Sequence, residues 1–315
     1  MSDRPPARRA GVPRPGMPTP PRIRQSREDV AFDFVNVTIM VIVLLVVLYP
    51  LYFVVIASFS DPQAVGSGRV VFAPRDVTWE GYRRIMSDRG IWRGYRNTIL
   101  YTLVGTVINV SMTMLLAYPL SRRRFSGRGV IMVFLIITMY FRGGIVPTYL
   151  LVRSLGLLNT FWVMVILGAV SVHHTIIART FLQSNVPNEL QEAAAMDGCG
   201  HFRFFLSVVL PTSPAIIAVL GLFYAVSHWN EFFRGLVFLS DEDRFPLQLV
   251  LRGILIQAEL SEDMLYDVQG QDEMQRISEL IQFGVIIVAS LPILVAYPFL
   301  QRYFIKGVMI GSLKG

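Results

Sequence analysis

The charged positions of this chain fall in clusters separated by long uncharged stretches. Between consecutive charges the runs are Phe34–Ser60, Asn97–Ser121, Ser154–Ala178, Phe204–Asn230 and Leu280–Gln301. A helix rises about 1.5 Å per residue, so each run can cross about 30 Å of hydrocarbon. A sixth run, Gly129–Phe141, has only 13 residues and spans when Arg128 and Arg142 extend from its ends toward the headgroups. The "RGGIVP" that follows, Arg142 to Pro147, breaks helices and leaves a re-entrant segment as the other reading of that run. The pattern predicts an all-α integral membrane protein with six transmembrane helices, forming one domain over 31–315.

Composition supports this class. With 53% hydrophobic residues, 16% charged ones and a mean hydropathy of +0.50, a chain of 315 residues is too apolar for a soluble globule. Cys199 is its one cysteine, which excludes an intrachain disulfide framework and a multi-cysteine metal site. The net charge of +7 does not point to nucleic acid, because the arginines cluster in the first 27 residues and beside apolar runs. Residues 1–30, rich in proline and arginine without apolar periodicity, read as a disordered basic arm with an attraction to anionic lipid.

Six spans put both termini on one side. The loop "RRRFSGR", Arg122 to Arg128, carries four arginines in seven residues, and short loops that basic are cytoplasmic. Both termini and the loop Arg179–Arg203 are then also inside, while Asp61–Arg96, Arg142–Arg153 and Glu231–Glu279 are outside. The charge count separates the sides weakly, with 16 Lys and Arg in 79 inner residues against 13 in 97 outer ones.

Between two apolar runs lies "NELQEAAAMDGCGHFRFFLSVVLPTSPAI", Asn188 to Ile217. Ser184 or Asn185 can cap a helix whose first turn holds Pro187 and Glu189, near the positive end of its dipole. Gly198 then permits a turn, and "HFRFFLSVV" restarts helix toward the next span. Ala193, Ala194 and Ala195 let another surface come close. The segment, about 184–207, reads as a docking knob.

These residues resemble the EAA signature of permease subunits of ATP-binding-cassette importers. Glu192-Ala193-Ala194 is followed by three residues, Gly198, nine residues, Val208, one residue and Leu210-Pro211. Valine stands where that pattern has isoleucine. The segments "GGIVPTYLLVRSLGLLNTFWVMVILGAVS", "FYAVSHWNEFFRGLVFLSDEDRFPLQLVLR" and "QRYFIKGVMIGSLKG" are similar to maltose-type carbohydrate importer permeases, in the branch associated with complex-polysaccharide oligosaccharides. The resemblance covers the chain from about Phe32 to Gly315. It implies the type I (MetI-like) importer permease fold in a bacterial cell membrane. It also implies a second, homologous permease, two cytoplasmic ATP-binding-cassette ATPase subunits and an extracytoplasmic sugar-binding protein as partners. ATP and Mg would be used by the ATPase subunits and no cofactor bound by this chain. Glu192, Ala193, Ala194, Asp197, Gly198, Leu210 and Pro211 become the candidate coupling residues, on a helix seated in an ATPase cleft.

The chain contains no G-x-x-x-x-G-K-[ST] phosphate loop, so it does not hydrolyse ATP by that route. Adjacent His173 and His174 point to different faces of a helix, which suits packing better than a metal site. Tyr224, Trp229 and Asn230 stand at the outer end of the fifth run. An aromatic belt explains the tyrosine and tryptophan, while stacking on a pyranose and amide bonds to its hydroxyls would make all three part of a sugar pathway. The loop of about 231–279 has eleven acidic residues against four basic ones and reads as a solvated cap; the resemblance implies that it touches the sugar-binding protein. An autonomous channel or a membrane enzyme is the alternative class, but an enzyme needs convergent acid, base or metal groups that these uncharged span centres lack.

Overall fold

The structure, a computed structural model, describes residues 26–141, 143–263, 281–295 and 298. The expected basic arm lies outside the described residues except for its last five, and so does the ending from Gln301 onward. The chain divides into two units, Met1–Leu51 and Tyr52–Gly315. The first holds most of helix α1, Arg27–Ser58. That helix begins inside the stretch expected to be an arm, because Ser26 and Asp29 cap each other's backbone N–H at 2.9 and 3.1 Å.

The second unit is organised on one long helix. After α2 (Pro62–Gly66) and α3 (Glu80–Ser87), α4 runs unbroken over Arg89–Ser121, started by the Asp88 carboxylate accepting from Gly90 and Ile91 N–H. Then come α5 (Arg128–Tyr140), α6 (Ile145–Ser154), α7 (Phe161–Ile166), α8 (Val172–Asn185) and α9 (Asn188–Met196). They are followed by α10 (His201–Thr212), α11 (Pro214–Trp229), α12 (Phe233–Phe238), α13 (Leu247–Asp263) and α14 (Ile281–Val295). Helix α4 packs most heavily against α11 and α8, then α13 and α7. Its glycines permit this: a Cβ at Gly94 would lie 3.0 Å from Leu247 Cα, and one at Gly105 would lie 2.4 Å from His228 Nε2.

Two of the expected spans are not continuous helices. The run Ser154–Ala178 is divided among the end of α6, the six-residue α7 and the start of α8, with Gly168 at φ +80° in the last break. The run Phe204–Asn230 bends by 83° at Ser213, where Pro214 has no N–H to continue α10. Pro211 perturbs α10 further upstream, where Phe205–Val209 forms a π turn and Leu210 N–H reaches Phe205 O. Gly129–Phe141 is helical as α5, followed by a break before α6. Among the described residues, only α1 and α4 are singly long and apolar enough to cross a membrane, and the pairs α5/α6 and α10/α11 reach that length only as bent units.

The main core lies near the C-terminal end of α4, where Met114, Ala117 and Tyr118 meet Leu182, Phe204, Phe205, Val209 and Leu220. At the other end, Asn97 Nδ2 donates to Asp243 O and Phe245 O, Tyr101 donates to Arg244 O, and Leu247 N–H donates to Thr98 Oγ1. The segment 243–247 is thereby fixed on the first turns of α4.

Candidate functional site

Helix α9 follows α8 almost at once because Pro187 disfavours helical geometry at Val186, which sits at φ −120°, ψ 90°. Pro187 itself takes the N-cap position. The expected caps fail: Ser184 Oγ donates to Thr180 O and Asn185 Nδ2 to Phe181 O, both inside α8. Glu189 does lie in the first turn of α9.

The C-terminal end of α9 is a Schellman turn. Cys199 N–H reaches Ala194 O at 2.9 Å and Gly198 N–H reaches Ala195 O at 3.1 Å, with Gly198 at φ +75°. Ala194 and Cys199 pack against the main core, while Glu192, Ala193, Asp197 and Gly198 are exposed around the turn. Met196 is 90% exposed there. It went unnoticed in the sequence because one methionine among alanines carries no motif. Leu210 and Pro211 are not part of this surface; they shape α10 behind it, Leu210 against the core.

The four-arginine loop and α9 lie at the same end of α4, linked by an exposed ion pair of Arg124 and Glu192 at 2.9 Å. Arg122 is buried and donates to Val186 O at 3.0 Å and Leu182 O at 3.2 Å, closing the C-terminal end of α8 immediately before α9. In return Arg179, on α8, donates to Leu120 O of α4 at 3.0 Å. These two arginines tie α4 and α8 together beside the knob.

The other predicted site separates into two parts. Tyr224 is buried, bonded to Thr113 Oγ1 at 2.7 Å and accepting from Ser171 N–H at 3.3 Å. Trp229 is also buried and donates to Ala289 O at 3.2 Å. Asn230 is exposed and lines a cavity of about 580 Å³ between the α11–α12 link, α13 and α14. A polar seam runs inside the bundle: Asn109 meets His228 at 3.2 Å, and Thr102 Oγ1, Thr106 Oγ1, Asn109 Oδ1 and His174 Nδ1 have no protein partner among the described residues. His174 stacks on Phe223 and meets Tyr224 edge-on.

No family profile matches the chain. It is 36% identical over 287 residues to Protein LplC of Bacillus subtilis (strain 168), a match covering 90% of this chain and 95% of that one. To the polygalacturonan/rhamnogalacturonan transport system permease protein YtcP of the same organism it is 35% identical over 285 residues, covering 90% and 98%. Among solved structures it is similar to a bacterial ABC transporter involved in the import of the acidic polysaccharide alginate. That match has a TM-score of 0.80 and 30% identity, and covers 89% of this chain and 99% of that one.

Proposed function

The chain belongs to the permease subunits of ATP-binding-cassette carbohydrate importers and has their fold, and from that premise we propose how its two ends divide the work. The permease crosses the bacterial cell membrane six times, with α1, α4, the pair α5/α6, the broken segment α7–α8, the pair α10/α11 and α14 as its spans. Both termini and α9 are cytoplasmic. Helix α9 seats in a cleft of one of two ATPase subunits, which use ATP and Mg. A homologous permease completes the pathway, and a sugar-binding protein delivers an oligosaccharide to the outer face.

The observation that carries this reading is the construction of α9. It is an exposed, tightly capped helix, anchored to the core through Ala194 and Cys199, at the end of α4 that also bears the four-arginine loop. Such a knob transmits a push only when its base is rigid, and the buried Arg122 supplies that rigidity. At the opposite end, Asn230 offers its amide to sugar hydroxyls, while Tyr224 and Trp229 hold α11 against α4, α8 and α14.

Copurification of the ATPase and ATP-driven sugar uptake in proteoliposomes test the reading. An ATPase that is retained by the unaltered chain and lost with Glu192→Ala and Met196→Asp supports the docking of α9. Sugar flux through the chain alone, without ATPase or ATP, would instead establish an autonomous channel.

A further inference from the structure

Arg252 is the described arginine of the 231–279 loop that has no carboxylate. Arg234 is paired with Glu231 at 2.7 Å and donates to Met164 O and Leu167 O, and Arg244 is paired with Asp241 at 3.3 Å. Even Arg93, on α4, is paired with Asp243. Among the described residues, Arg252 has no such ion pair. Its guanidinium lies over the Phe232 ring, 5.3 Å from the centroid, and lines the 580 Å³ cavity that Asn230 also lines.

We infer that this cavity receives an acidic sugar, with Arg252 holding a carboxylate of the ligand; the inference rests on the carbohydrate-permease reading above and specifies its substrate class. The described lining contains no acidic side chain, so the charge of Arg252 is not neutralised within the site. A cation beside apolar walls draws an anion, because a low-dielectric surface strengthens its field. The Phe232 ring attracts the guanidinium through its π face, and the N–H groups of Arg252, which make no hydrogen bond among the described residues, can form a two-point bond to a carboxylate.

The remaining lining suits the rest of a sugar. Gln248 is four residues before Arg252 on α13 and shares its face. Asn230 uses Nδ2 on Val226 O at 2.9 Å, which leaves its amide oxygen to accept from a hydroxyl. Ser290 adds a hydroxyl from α14, and Leu251 and Ile286 present apolar surface to the carbon face of a pyranose. A volume of about 580 Å³ lies within the range of small-ligand sites and admits one or two sugar rings.

The test is equilibrium binding of digalacturonate and of neutral galactobiose to the purified importer complex, without its binding protein. Digalacturonate should bind at least about tenfold more tightly, as expected for a charge-assisted two-point bond. Arg252→Gln should erase that preference and Arg252→Lys should keep part of it. Three results overturn the inference: no preference in the unaltered complex, equal loss of both sugars in Arg252→Gln, or loss of the preference on adding phosphatidylglycerol, which would give Arg252 to a lipid headgroup. ATP-driven uptake by the same complex in proteoliposomes, now supplied with its binding protein, separates the two readings. Uptake without acidic preference overturns the substrate class alone, whereas no ATP-driven uptake of any sugar overturns the permease reading beneath it.

Discussion

Gly198 is the position where one added carbon tests coupling with least ambiguity. It holds φ +75°, and a Cβ built on it meets nothing within 4 Å. Any penalty for Gly198→Ala is therefore backbone strain and not collision. An L-residue in the left-handed region costs about 1–2 kcal/mol, which shifts the population of the intact turn by a factor of about 5–30. The chain relieves the strain by giving up the Cys199–Ala194 and Gly198–Ala195 bonds, and the last turn of α9 then unwinds beneath Glu192 and Met196. Asparagine tolerates this region better than alanine, and β-branched valine tolerates it worst.

The expected order of binding-protein-stimulated ATPase activity and uptake is thus Gly, Asn, Ala, Val, with Val near zero. Gly200 provides the control: it has equally open surroundings but φ −68° at the N-cap of α10, so Gly200→Ser should be tolerated. All variants should insert into the membrane in similar amount. If alanine and valine at 198 support unaltered uptake per assembled complex, the turn is not part of the coupling path.

Arg122→Met strips buried carbonyls of Leu182 and Val186 of a charged donor, at about 1.5–3 kcal/mol per bond, so uptake per complex should fall at least about tenfold; Arg122→Lys should recover only part, since a single nitrogen replaces the separate Nη1 and Nη2 donors. Gly105→Ala forces a carbon to 2.4 Å from His228 Nε2 and should destabilise the purified permease by about 1–3 kcal/mol in a thermal melt, with His228→Ser restoring part of the loss. Orientation is checked by labelling in a Cys199→Ser background: a cysteine at exposed Ser126 should react with an impermeant maleimide only in broken cells, and one at exposed Ser240 in intact spheroplasts. Trp229→Ala opens a cavity in the helix packing at about 3–5 kcal/mol and should lower the amount of assembled protein, whereas Asn230→Ala should leave assembly intact and reduce uptake up to about tenfold. Equal assembly defects in the two would place Asn230 in the packing and remove it from the pathway.

The helix and turn of the knob were legible because they rest on local chemistry. Gly198 at its turn and Glu189 in the first turn follow from rules that need no tertiary information. The misplaced caps at Ser184 and Asn185 show the limit of such rules: both residues can cap, but α8 runs past the end of the uncharged run at Ala178 to Asn185 and absorbs them. Uncharged runs predicted where apolar surface lies, and two of them failed on continuity. Hydropathy counts residues without regard to direction, so it cannot see the 83° bend at Ser213 or the break at Gly168. Trp229 and Asn230, adjacent in sequence, read as one site. The helix ends between them, and one side chain turns into the packing while the other reaches the cavity.

Interrupted and terminated helices also decide where some of the arginines stand. A broken helix in a membrane leaves carbonyls without donors, and lipid supplies none, so irregular backbone survives there only when protein groups satisfy it. Arginine does this at three helix ends: Arg122 on α8, Arg179 on α4, and Arg234 on α7, through Met164 O and Leu167 O. A cation also complements the negative end of each helix dipole, which makes it a better donor there than a neutral amide. Arg122 and Arg179 belong to one end of α4, but Arg234 follows α11 in the loop assigned to the opposite side. Of the three, only α7 ends at a break inside an apolar run, so Arg234 is placed by that break and not by the membrane potential or the insertion machinery. Arg234 therefore carries no topological signal, although it stands in the loop assigned to the outside.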